Sequence, residues 1–123
     1  MSKSKARIKV TGEVFTPDVV VQNLLNQIPE EKYQDPESTF LDNSAGNGNF
    51  LFALKERLCQ YHPEQHVLDH MIYAVEMMED NHAELCQRLG VPVTHPHYVC
   101  HDALEYDYSF NGRTNNLTDF FFE

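Results

Sequence analysis

The sequence predicts an α/β domain of about four parallel strands with flanking helices. Three observations carry this. Thr39-Phe40-Leu41 is a short apolar run with a β-branched start, and a turn with glycines at 46 and 48 follows it. Phe50, Leu51, Phe52 and Leu54 then open a helical pattern. Met71-Ile72-Tyr73-Ala74-Val75 reads as a second buried strand ending on Glu76, followed by a helix over 77–89 that Gly90 caps. His97-Tyr98-Val99-Cys100 and the segment 119–122 read as third and fourth strands, so strands fall near 39–41, 71–76, 97–100 and 119–122.

The chain has 123 residues, enough for one compact domain, placed here at 12–123 after a flexible basic arm at 1–11. Hydrophobic residues make up 41% and charged residues 23%, the balance of a soluble globular protein. No apolar run approaches the ~20 residues that cross a bilayer, so no membrane role is expected. The basic start, Met1 to Lys9, runs into Val10-Thr11-Gly12-Glu13 without an apolar core, which is not a secretory signal. A cytoplasmic location is the expectation.

The net charge is −10, from 9 basic and 19 acidic side chains. Four of the basic ones (Lys3, Lys5, Arg7 and Lys9) lie in the arm, so the remainder is strongly acidic. Phosphate contacts dominate affinity for nucleic acid, so this balance excludes a firm grip on duplex DNA by the chain itself. Cys59, Cys86 and Cys100 are an odd number, widely spaced, and predict buried reduced thiols rather than a zinc site.

Taken in order, Thr16 before Pro17 predicts a helix start, with a hydroxyl cap and proline in the first turn. Asp18 adds favourable charge there, and Val20, Val21, Leu24, Leu25 and Ile28 share one face until Pro29 stops the helix. The stretch 30–38 is a polar connector. The helix after the glycine turn runs from Gly48 to about Tyr61, before Pro63. The stretch 62–69 reads as a polar loop, so His62, His66 and His70 are not expected to form a metal-holding helical face. The segment 106–113 is a polar-aromatic loop with an Asn111-Gly112 turn.

Strand, glycine turn and helix together form the entry unit of a nucleotide-binding domain. Glycine lets a ligand approach the backbone, and the following helix offers free N–H groups. The dinucleotide fingerprint would place a third glycine at position 51; Leu51 stands there and argues for another cofactor. The string Asp42-Asn43-Ser44-Ala45-Gly46-Asn47-Gly48-Asn49-Phe50-Leu51 resembles the first motif of S-adenosylmethionine-dependent DNA methyltransferases that modify adenine at N6. That motif usually reads Asp-Pro-Ser/Ala-x-Gly-Ser/Thr/Asn-Gly with a bulky apolar pair after it, and Asn43 replaces the commoner proline. In the same families a Gly-x-x-Phe-Thr-Pro segment precedes the motif and lies over the cofactor, matching Gly12, Phe15, Thr16 and Pro17.

The resemblance implies a Rossmann-like methyltransferase fold, incomplete here, that binds S-adenosyl-L-methionine. Ser44, Ala45, Gly46, Gly48 and Phe50 would shape the turn around the amino acid moiety, with Asp42 near its ammonium. Glu76 ends the second strand, where a carboxylate can accept from both ribose hydroxyls, and Met77 follows it. Asp42 to Glu76 spans 34 positions, against ~20 in a tight dinucleotide unit, and the segment 62–69 supplies the extra length. Asp102, followed by Ala103, matches the acid that accepts from the adenine amine; it also suits a helix cap, and both roles are compatible.

The family's Asn/Asp-Pro-Pro-Tyr/Phe motif, which holds the flipped target base, has no counterpart among these residues. No catalytic residue and no metal ligand are therefore assigned. Two classes of function follow. One is the cofactor-binding half of an N6-adenine methyltransferase of the restriction-modification type, needing a second chain for transfer and for DNA contact. The other is a non-enzymatic protein that sequesters the cofactor or regulates a methyltransferase as a decoy. Apolar Phe120, Phe121 and Phe122 at a sheet edge predict a partner chain or self-association.

Overall fold

The computed structural model of the chain describes residues 17–112. Among them is a three-stranded parallel sheet, β1 (Phe40–Asp42), β2 (Ile72–Glu76) and β3 (Tyr98–Cys100), in the order β1-β2-β3. Phe40 lies opposite Ile72, and Ala74 opposite Tyr98. Parallel neighbours need long crossovers, and each here contains a helix. Helix α1 (Asp18–Gln27) and the short α2 (Glu30–Gln34) precede β1. Helix α3 (Asn49–Leu58), the turn α4 (Glu64–His66) and a π-helical turn (Val67–Met71) join β1 to β2, and α5 (Glu79–Leu89) joins β2 to β3. The α/β class is as the sequence predicts; the expected strand at 119–122 and the arm at 1–11 lie outside the described residues.

The core forms where these elements meet. Leu51, Leu54 and Leu58 of α3 pack with Leu85, Cys86 and Leu89 of α5, and with Ile72 and Ala74 of β2. β2 is the central strand, and Ile72, Ala74 and Val75 are all fully buried, the run expected of a parallel strand covered on both faces. The Tyr33 hydroxyl donates to the Leu25 carbonyl at 2.5 Å, tying α2 to the end of α1.

Several boundaries differ from expectation. Helix α1 starts at Asp18 with Pro17 as its cap residue, and it ends at Gln27. Its buried stripe is narrower than predicted: Val21 and Leu25 are inside, whereas Val20 and Leu24 are 41% and 43% exposed. The connector 30–38 contains α2, because Pro29 stops one helix and caps the next. Helix α3 ends at Leu58, before a tight turn at 59–62, and α5 starts at Glu79.

The stretch 62–69 is not a loop. Pro63 caps α4, and Val67, Leu68 and Met71 bury themselves in the core, winding the chain into helical turns up to β2. His62, His66 and His70 therefore do line up along one side, their rings tilted to one another with centres 5.8 and 5.2 Å apart. No group of three or more metal-binding side chains exists among the described residues. The three cysteines are free, but only Cys86 is fully buried; Cys100 is exposed. Among the described residues no helix is long and apolar enough to cross a membrane.

Candidate ligand site

The carboxyl ends of parallel strands are where α/β sheets present ligands. β1 ends on Asp42 and β2 on Glu76, while β3 leads to Asp102. The chain leaves β1 through the turn 43–48. Gly46 and Gly48 take φ of 57° and 92°, values that an L side chain rarely tolerates. The Ala45 N–H donates to the Val75 carbonyl at 3.3 Å, laying the turn against β2.

Glu76 is the hub. It is 7% exposed, and three donors hold its carboxylate. Oε1 accepts the Gly46 N–H at 2.9 Å. Oε2 accepts the Met78 N–H at 2.9 Å and the Asn81 amide at 3.3 Å. A carboxylate has about four acceptor positions, so one remains on Oε1. The expectation that Glu76 takes two further hydroxyls therefore narrows to one while all three donors stay in place.

Asp42 is half-buried, and its Oδ1 accepts the Ser44 N–H at 3.0 Å. Burial pushes its pKa up, the Ser44 N–H opposes this, and the nearby Glu76 charge raises it further. Two acids at adjacent strand ends make a locally negative mouth. Such a mouth favours a cation and hydroxyl donors over a phosphate.

Asp102 caps a turn. Its Oδ1 accepts the Leu104 N–H at 2.9 Å, and its carbonyl accepts the N–H groups of Glu105 and Tyr106. The capping role is thus occupied by one oxygen. The Ala103 carbonyl accepts the Tyr108 hydroxyl at 2.7 Å, and the Asn43 amide reaches that same hydroxyl at 3.4 Å. This chain of bonds ties the turn after β1 to the loop after β3 across the end of β2. Tyr108 and Phe110 have positive φ of 57° and 49°, unusual for bulky residues and held here by edge-on contacts with Tyr106.

Of the predicted residues, Asp42, Ser44, Ala45, Gly46, Gly48, Glu76, Met77, Asp102 and Ala103 all fall at this one end of the sheet. Met77 is 48% exposed beside Glu76. Phe50 is half-buried on α3 and packs against the core. Pro17 is the cap residue of α1, and Phe15 and Thr16 lie outside the described residues.

Sequence reasoning missed the side of α5 that faces the turn. Asn47 donates to Glu84 at 3.4 Å. Arg88 Nη1 donates to the Asn47 carbonyl at 3.0 Å and to Asn49 Oδ1 at 2.7 Å. A Cβ on Gly48 would meet Leu85 Cδ1 at 2.9 Å. The helical spacing of positions 81, 84, 85 and 88 was the available signal. A separate cleft of about 240 Å³ runs beside β3, lined by His82, His95, Tyr98 and Tyr106 among others, and shares no residue with the predicted site. No protein-family model matches the chain, and no curated protein matches it in sequence.

Proposed function

We propose that the chain is an S-adenosylmethionine-binding domain of the N6-adenine DNA methyltransferase type, with a Rossmann-like sheet, inactive in transfer by itself. One observation carries this reading: the Gly46 N–H bonded to Glu76 across adjacent strand ends, which joins the glycine turn to the acid of the second strand. In this account the turn takes the amino acid moiety, and Glu76 accepts a ribose hydroxyl on the open position of Oε1. Asp42 and Glu76 together favour the positive ammonium and sulfonium. Asp102, two strands from Asp42, takes the adenine amine on its second oxygen. Strands lie about 4.8 Å apart, so the ends of β1 and β3 are roughly 10 Å from each other, a fitting span for an extended nucleoside with an amino acid tail. The resemblance assigns the covering of the ligand to Phe15, Thr16 and Pro17, of which only Pro17 lies among the described residues.

Methyl transfer to an adenine requires the base to be held out of the stack and aimed at the methyl group. The 123 residues contain no Asn-Pro-Pro-Tyr to do so, and their −10 charge repels DNA. The enzyme reading thus needs the motif and a DNA surface from outside these 123 residues, and a second chain is the source we propose. The acidic balance favours a second reading, a cofactor-sequestering or methyltransferase-regulating decoy. Tritium transfer from methyl-labelled cofactor to mixed-sequence DNA separates the roles. The expected result is no incorporation above a Glu76→Ala control with this chain alone. Incorporation restored by a complementing Asn-Pro-Pro-Tyr chain selects the enzyme half; inhibition of a complete methyltransferase selects the decoy. Incorporation by the chain alone overturns the assignment of catalysis to a partner.

A further inference from the structure

We infer that Asn81 and Arg88 are positioning residues for the bound ligand, through which α5 sets the spacing between the glycine turn and the Glu76 carboxylate. The inference rests on the S-adenosylmethionine reading for the identity of the ligand. Its geometry stands independently.

Positions 81, 84, 85 and 88 follow the i, i+3, i+4, i+7 pattern of a single helical stripe. Each member meets the site from behind. Asn81 is fully buried and donates to Glu76 Oε2, the oxygen opposite the one that Gly46 uses. Glu84 accepts the Asn47 amide, and the Leu85 side chain fills the space that any Cβ on Gly48 would need. Arg88 donates through one nitrogen to both the Asn47 carbonyl and the Asn49 side chain, and its guanidinium lies 5.2 Å over the Phe52 ring. One rigid helix thus grips the acid at one end and the turn at the other.

This matters for recognition, because the turn and the acid come from chain segments 30 residues apart, Gly46 and Glu76. Apart from α5, their spacing rests on the bond between them, the Ala45–Val75 backbone bond and the pairing of β1 with β2. A ligand that touches both gains affinity when that spacing is fixed beforehand, since less ordering is required on binding. Arg88 suits this task better than lysine would, because its planar guanidinium lies over the Phe52 ring while the two hydrogens of Nη1 are fixed toward the two acceptors.

Calorimetry with S-adenosylhomocysteine and its 2′,3′-dideoxy analogue tests the inference on the full chain. Asn81→Ala and Arg88→Ala should each weaken binding roughly tenfold, with Arg88→Lys between Arg88→Ala and the unchanged protein. Gln87→Ala, on the exposed side of α5, should bind as the unchanged protein does. The unchanged protein should lose roughly tenfold when the ribose hydroxyls are removed, and Asn81→Ala markedly less, because the carboxylate that accepts from the ribose has lost the one side-chain donor of its three. A role in stability alone would leave that hydroxyl penalty intact. Amide exchange of Gly46 in the ligand-free protein supplies a second readout and should quicken in both alanine variants. Unchanged Gly46 exchange, or an unchanged hydroxyl penalty in Asn81→Ala, overturns the inference. Failure of the unchanged protein to bind either compound overturns the ligand reading, with the exchange result still deciding whether α5 holds the turn.

Discussion

Glu76 accepts the backbone N–H of Gly46 at 2.9 Å, so the acid that ends β2 and the turn that leaves β1 form one unit before any ligand arrives. The bond places a carboxylate against a backbone stretch that only glycine can shape. It explains why the turn needs its conformation, and what must change when the turn is altered.

Gly48 and Gly90 offer a paired test of that constraint. Both have positive φ, 92° and 78°, but a Cβ at 48 would meet Leu85 at 2.9 Å, whereas at 90 nothing lies within 4 Å. Gly90→Ala should cost about 1–2 kcal/mol, the strain of the left-handed conformation alone. Gly48→Ala should cost about 3 kcal/mol or more, since steric overlap with α5 adds to the strain. Urea unfolding of both variants measures the difference, and equal losses would show that Leu85 gives way freely.

Asp42 makes stability and cation binding respond to pH in opposite ways. Burial and the Glu76 charge raise its pKa in the fold. The folded protein therefore binds this proton more readily than the unfolded chain, and stability from this group falls as pH rises through the raised value. A cationic ligand prefers the ionised form, so its binding should weaken as pH falls through the same range and should release a proton there. Asp42→Asn keeps an acceptor for Ser44 and should remove both effects. Calorimetry in buffers of different ionisation heat reads the proton release directly.

His97 gives the fold an acid limit. Burial holds its imidazole below the ordinary value, while its Nδ1 lies 3.0 Å from the Ile72 carbonyl and its ring stacks on Tyr73 at 4.0 Å. The unfolded chain binds this proton more readily, so stability from His97 is present above about pH 6.5 and is lost as pH falls through the lowered folded value. His97→Asn, whose amide can donate to the same carbonyl, should flatten the fall in thermal midpoint between pH 7 and pH 5, as followed by circular dichroism.

The legible parts of this molecule are those where a residue type has one conformational use. Gly46, Gly48 and Gly90 mark their turns because each needs positive φ, and Ile72 to Val75 mark the central strand because both its faces are buried. Glu76 and Asp42 were legible as strand-end acids for the same topological reason. The stretch 62–69 was not, because a proline such as Pro63 can follow the end of one helix or cap the next, and only the burial of Val67, Leu68 and Met71 decides between these. The α5 stripe was not legible either. The polar types of Asn81, Glu84 and Arg88 suit any helix surface, and only the fold lays the glycine turn against them.

Calorimetric titration of S-adenosylmethionine into the full chain, beside the Glu76→Ala variant, decides whether the strand-end acids and the glycine turn hold this cofactor. The predicted result is saturable 1:1 binding to the unchanged protein, with Glu76→Ala weaker by about 1–3 kcal/mol, the usual loss for a hydrogen bond to a charged group. No heat at millimolar ligand, or equal binding by both proteins, would contradict it.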